Sequence, residues 1–136
     1  LNKTKPIRIV IFGQSLGGNA TVELARALKA RHVPVLLTVQ IDSVGLRDAV
    51  IPGNVRKAVN YFQHDPLTIW GRSSIRAEDP SQTTILGNFE RRYPLFEPVQ
   101  TSWARRYLGG GHARMEADRA LWQEVEDLIR SEIIRR

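Results

Sequence analysis

The chain has 136 residues, 42% of them hydrophobic, which suits one domain with a buried core and excludes a disordered or fibrous chain. Its 20 Lys and Arg outnumber 14 Asp and Glu, giving a net charge of +6. The basic residues are dispersed, at 56–57, 91–92, 105–106 and 135–136, with no nucleic-acid module around them. A solvated surface is therefore expected, and no nucleic-acid partner. The absence of cysteine rules out disulfides and thiolate metal sites.

No run approaches the roughly 18 apolar residues of a membrane span. The opening LNKTKPIRIVIFG lacks the long apolar stretch and cleavage site of a signal peptide. Leu1 at the first position fits a processed, partial or trimmed chain. The compartment is not legible.

Residues 7–13, IRIVIFG, form a short apolar run rich in β-branched residues, which predicts an interior strand of a parallel sheet, buried on both faces. Residues 16–31 carry Ala20, Leu24, Ala27 and Leu28 at helical spacing, with Glu23, Arg26 and Lys29 opposite, and predict an amphipathic helix. Residues 33–42, VPVLLTVQID, predict a second strand and complete a βαβ unit. A loop is expected over 45–54 and a third strand over 58–63. Residues 64–111, punctuated by Gly71, Pro80, Gly87, Pro94 and Pro98, read as long loops with one edge strand at SQTTILGNF. Leu121, Val125, Leu128, Ile129 and Ile133 lie on one stripe of a closing helix over 117–135.

Gly13-Gln14-Ser15-Leu16-Gly17 fits G-x-S-x-G between a predicted strand and a predicted helix, the context of a nucleophile elbow. Such a turn projects the hydroxyl above the sheet, and glycines on either side keep other side chains out of it. Leu16 N–H, opening the helix, would face a developing oxyanion. The plainer reading is a close-packed strand-to-helix turn. Phosphate binding is disfavoured, since neither the Walker lysine nor the dinucleotide glycine pattern is present.

A serine nucleophile needs a base held by an acid. His32 is expected in a solvated loop at the far end of the sheet. His64 follows the third strand, whereas His112 follows three glycines and is expected on a flexible loop beside Ser15. For the acid, Asp42 ends the second strand and Asp65 follows the third, both at the edge of a parallel sheet where sites form. Asp42 is favoured over a capping role; Asp65, before Pro66, reads more as turn chemistry.

The segment IVIFGQSLGGNATVELARAL resembles the elbow and following helix of α/β-hydrolases of the lipase, esterase and thioesterase kind. VPVLLTVQIDSVG, NVRKAVNYFQ and GGGHARMEADRALWQEVEDLI are similar to later strands, the acid and histidine loops and the last helix of bacterial lipase-like members. The resemblance spans nearly the whole chain, strongly at the turn and weakly in the middle.

It implies a mostly parallel α/β sheet and hydrolysis of carboxylic esters or thioesters through an acyl-enzyme. Ser15 would be nucleophile, Asp42 acid, His112 base and Leu16 N–H an oxyanion donor, in the chain order Ser, acid, His, with His64 and Asp65 in reserve. No cofactor or metal is implied. Gln14 stands where such enzymes often have His, a position outside the proton relay.

Such folds also carry several strands and two helices before the turn, where this sequence has only about a dozen residues. The expectation is an incomplete hydrolase domain with a bare sheet edge, its remainder truncated or supplied by another chain. The alternative is a catalytically silent fragment or interaction module that associates through that edge. A nucleophilic Ser15 predicts positive φ, with Asp42 and His112 at the same sheet edge and a His112 nitrogen within hydrogen-bond reach, or one water, of Ser15 Oγ.

Overall fold

The computed structural model describes residues 7–66, 70–94 and 103–135, with side chains from residue 110 onward in the last stretch. Nine elements follow in order among them: β1 (Val10–Gln14), α1 (Leu16–Lys29), β2 (Val35–Ile41), β3 (Val50–Ile51), β4 (Val55–Phe62), β5 (Arg76–Ala77), β6 (Thr84–Glu90), α2 (Trp103–Ala117) and α3 (Arg119–Ile134). The main sheet is parallel throughout, in the order β1-β2-β4-β6, and β3 with β5 forms a small parallel pair. This is an α/β architecture. Among the described residues no helix is long and apolar enough to cross a membrane.

The β-branched strands bury side chains on both sheet faces, as parallel strands between helices do. On one face Leu37, Val39, Ile41, Val59 and Tyr61 pack with Met115 of α2 and Leu121 and Val125 of α3. On the other, Val22 and Ala25 of α1 pack with Val35, Val55, Ala58, Ile51 and Ile75. Three polar contacts fix α3 beside its apolar stripe. Tyr61 donates to Glu124 at 3.0 Å, Lys57 reaches both oxygens of buried Glu132 at 2.8 Å, and Asp118 caps the helix by accepting from Leu121 N–H at 3.1 Å.

One side-chain row breaks the apolar pattern. Gln40, Asn60 and Asn88 lie in register across β2, β4 and β6. Gln40 donates to Asp48 O at 3.0 Å, and Asn60 donates to Arg72 O at 2.8 Å and to Asn88 Oδ1 at 3.2 Å. Asn88 Oδ1 in turn accepts from Ile75 N–H at 2.7 Å. The row therefore moors the loops 43–49 and 71–75 to the sheet.

Three expectations are corrected. β1 is not buried on both faces: it is an edge strand among the described residues, as the expected bare edge implied, its residues are at most half-buried and Phe12 is 55% exposed. The predicted loop of 64–111 contains β5 and the start of α2, and its residues 67–69 and 95–102 lie outside the described residues. The closing helix begins after Asp118, with residue 117 belonging to α2, which bends at Gly110 (φ 6°, ψ −125°). The edge strand expected at SQTTILGNF is β6.

Candidate active site

Because β1, β2 and β4 run parallel, the residues that follow them stand at one edge: Ser15 after β1, Asp42 after β2, Gln63 after β4. Ser15 links to its neighbour through backbone, its N–H donating to Ile41 O and its carbonyl accepting from Val44 N–H, both at 3.0 Å. These bonds fix a turn in which Ser15 adopts φ 57° and ψ −124°, a region that non-glycine residues rarely enter.

A serine before a helix ordinarily accepts from the second or third helical N–H. Ser15 makes no such cap, so its hydroxyl is not spent on closing α1. Leu16 N–H is the first donor of the helix and has no intrahelical acceptor. Gly13 is needed because a Cβ there would lie 2.2 Å from Gly17 O. Gly17 itself has open space beyond it, so only the glycine before the serine relieves a collision of its own, contrary to the expectation for both.

Asp42 is fully buried, with φ 44°. Its carboxylate accepts from Gly71 N–H at 2.7 Å on Oδ1, from Gln63 Nε2 at 3.0 Å on Oδ2, and from the His112 ring at Nδ1, also on Oδ2. Gly71 can come this close only without a side chain, since a Cβ would sit 2.3 Å from the Asp42 carbonyl carbon. The Asp42 hydrogen bond raises the His112 pKa above its ordinary 6.5; burial pulls it down, and the charges of Asp42 and Glu116 add to the rise.

His112 is not on a loop as expected: it lies in α2, two residues past the bend at Gly110. With Nδ1 on Asp42, Nε2 is the nitrogen left for other chemistry. Among the described residues no hydrogen bond joins it to Ser15 Oγ, so the structure brings Asp42 and His112 together and leaves Ser15 on the same edge without a direct bond to the ring.

The reserve residues lie elsewhere in this cluster. His64 is exposed and meets Trp70 edge-on at 4.7 Å between ring centroids. Asp65 accepts from Gly111 N–H at 3.0 Å, a contact to the segment carrying His112 and more than a turn role. His32 is exposed after α1, with φ 57°, as its loop position implied. Among the described residues no group of three His, Asp or Glu side chains stands close enough to hold a metal.

Sequence reasoning missed the groups that support the acid. Ser43 Oγ donates to buried Asp48 at 2.6 Å, Arg72 Nε donates to the other Asp48 oxygen at 2.8 Å, and Arg72 N–H donates to Ser43 O at 2.7 Å. This network holds Gly71 against Asp42. Its one signal in the sequence was Gly71, read there as loop punctuation. Beside the cluster lies a cavity of about 310 Å³ between Gln63, Asp65 and Gly111 on one side and Arg91, Arg92 and Tyr93 on the other. No family model, curated protein or solved structure matches the chain.

Proposed function

We propose that the chain is a serine hydrolase of carboxylic esters or thioesters, built as part of an α/β-hydrolase fold with the turn at Ser15 as its nucleophile elbow. One observation carries this reading: a serine at φ 57°, its hydroxyl unused in capping, shares a sheet edge with a buried Asp42 paired to His112. In the substrate complex His112 Nε2 takes the Ser15 proton as Oγ attacks the carbonyl carbon. Leu16 N–H donates to the resulting oxyanion. His112 then returns the proton to the departing alcohol or thiol, and water repeats the sequence on the acyl-serine. This requires Ser15 and His112 to draw together on binding, a tightening common when a free site gains its substrate. A fluorophosphonate probe tests the reading directly: the folded chain should label at Ser15, and an unlabelled folded chain overturns it.

The pH dependence has a definite direction. His112 must be neutral to act as base, and Asp42 raises its pKa above 6.5. The acidic limb of kcat/KM against pH should therefore have its midpoint above 6.5, activity rising through it. A limb at or below that value would show that Asp42 does not strengthen the ring's hold on its proton. The stability contributed by the pair runs the other way: full below the unfolded value, it is lost as pH rises through the higher folded one.

The edge of β1, which no strand covers among the described residues, favours a second reading, an interaction module. Ile9 O accepts from Leu36 N–H and Ser15 N–H donates to Ile41 O, so by alternation the N–H and C=O groups of Val10, Phe12 and Gln14 face away from β2. Such an edge is a template for another strand. Light scattering on the eluting protein separates the readings: edge pairing requires a dimer or larger species, and a stable monomer counts against it.

A further inference from the structure

Gln63 is 1% exposed, yet it is a polar residue at the end of β4 with both ends of its amide engaged. Its Nε2 donates to the same Asp42 oxygen that receives the His112 ring, and its Oε1 accepts from Asp65 N–H at 2.8 Å. Asp65 then accepts from Gly111 N–H, one residue before the histidine. A closed path thus runs from the acid through Gln63 and Asp65 to the backbone that carries the ring, and back through the ring to the acid. Burying an amide costs free energy unless both ends are satisfied, and here both are satisfied by this path.

We propose that Gln63 and Asp65 are positioning residues: Gln63 shares the Asp42 oxygen that meets His112 and so limits the acid's hold on the protonated ring, and Asp65 holds the Gly111 backbone so that the ring presents Nε2 outward. The inference rests on the hydrolase reading for its catalytic meaning and on the geometry alone for its physical content. Gln63 and His112 share one carboxylate oxygen, so the Gln63 donor draws on charge that otherwise serves the imidazolium. Loss of that donor strengthens the hold on the protonated ring. Loss of the Asp65 contact frees the backbone and weakens it. Among the described residues the charges that shift the ring are those of Asp42 across the pair and Glu116 on its own helix; Asp65 reaches the backbone beside it through Gly111, and Tyr93 lies close enough to feel Asp42.

The test is an NMR titration of the His112 ring in the wild-type chain, Gln63→Met and Asp65→Ala, read without substrate. Gln63→Met should raise the midpoint by about half a pH unit or more, and Asp65→Ala should lower it and speed exchange of the Nδ1 proton. Under the hydrolase reading both should lower kcat more than they change KM. Midpoints within about 0.1 unit of wild type in folded variants overturn the inference. If Gln63→Met does not fold, Asp65→Ala decides alone, an unmoved midpoint being the overturning result. A wild-type chain that fails to label with fluorophosphonate overturns the hydrolase reading instead, so the two failures remain distinct.

Discussion

Ser15→Ala should lower ester turnover by about 10⁴-fold or more and abolish fluorophosphonate labelling, with little change in unfolding free energy. Methyl for hydroxyl removes the attacking oxygen but leaves the backbone problem untouched, because alanine is as uncomfortable as serine at φ 57°. Ser15→Gly divides the two effects. Glycine occupies that region without steric cost, so this variant should be equally inactive while gaining up to about 1 kcal/mol of stability. Activity and stability moving in opposite directions at one residue would identify strain retained for chemistry. Residual turnover in Ser15→Ala within about tenfold of wild type would show that another group attacks the substrate.

Arg72→Met should destabilise the fold by about 3 kcal/mol, seen as a lower urea midpoint with an unchanged slope. Asp48 is 0% exposed, and its carboxylate is held by the Arg72 guanidinium and the Ser43 hydroxyl. Removing only the cation strands a buried charge, which costs far more than the pair itself contributes. Arg72 is 35% exposed, so water can recover part of the loss and the figure stays at the low end for buried pairs. The double variant Asp48→Leu with Arg72→Met should return most of the stability. An additive double variant would show that the two side chains act independently.

The elements legible in the sequence were those with a local signature. The run at 7–13, the amphipathic residues behind Ser15 and the stripe from Leu121 to Ile133 each carry their period within one segment, and they match β1, α1 and α3 within a few residues. Ser15 was legible because a glycine-flanked serine between strand and helix is a local pattern, and its positive φ agrees with that reading. Asp42 and His112 could be nominated only by position, since the distance between them depends on the whole sheet. The reason His112 stands in a helix was not visible: three consecutive glycines signal a loop, whereas here only Gly110 breaks the helix. Gln63, Gly71 and Asp48 matter through contacts 21 and 29 residues away, or through a buried pair 24 residues apart, and no spacing rule reaches that far.

The amide row across the sheet bears on how the chain finds a single alignment. A slip of two residues between β2 and β4 would keep each side chain on its own face, and because the apolar residues of VLLTVQI are all branched aliphatics of similar size the hydrophobic penalty would be small. Such a slip would set Gln40 against Ala58 or Phe62 instead of Asn60. It would also carry the amides away from the carbonyls of Asp48 and Arg72, leaving polar groups buried and unpaired at about 1–3 kcal/mol each. The row thus acts as a vernier: apolar burial brings the strands together, and three amides select one setting among several that burial alone would accept.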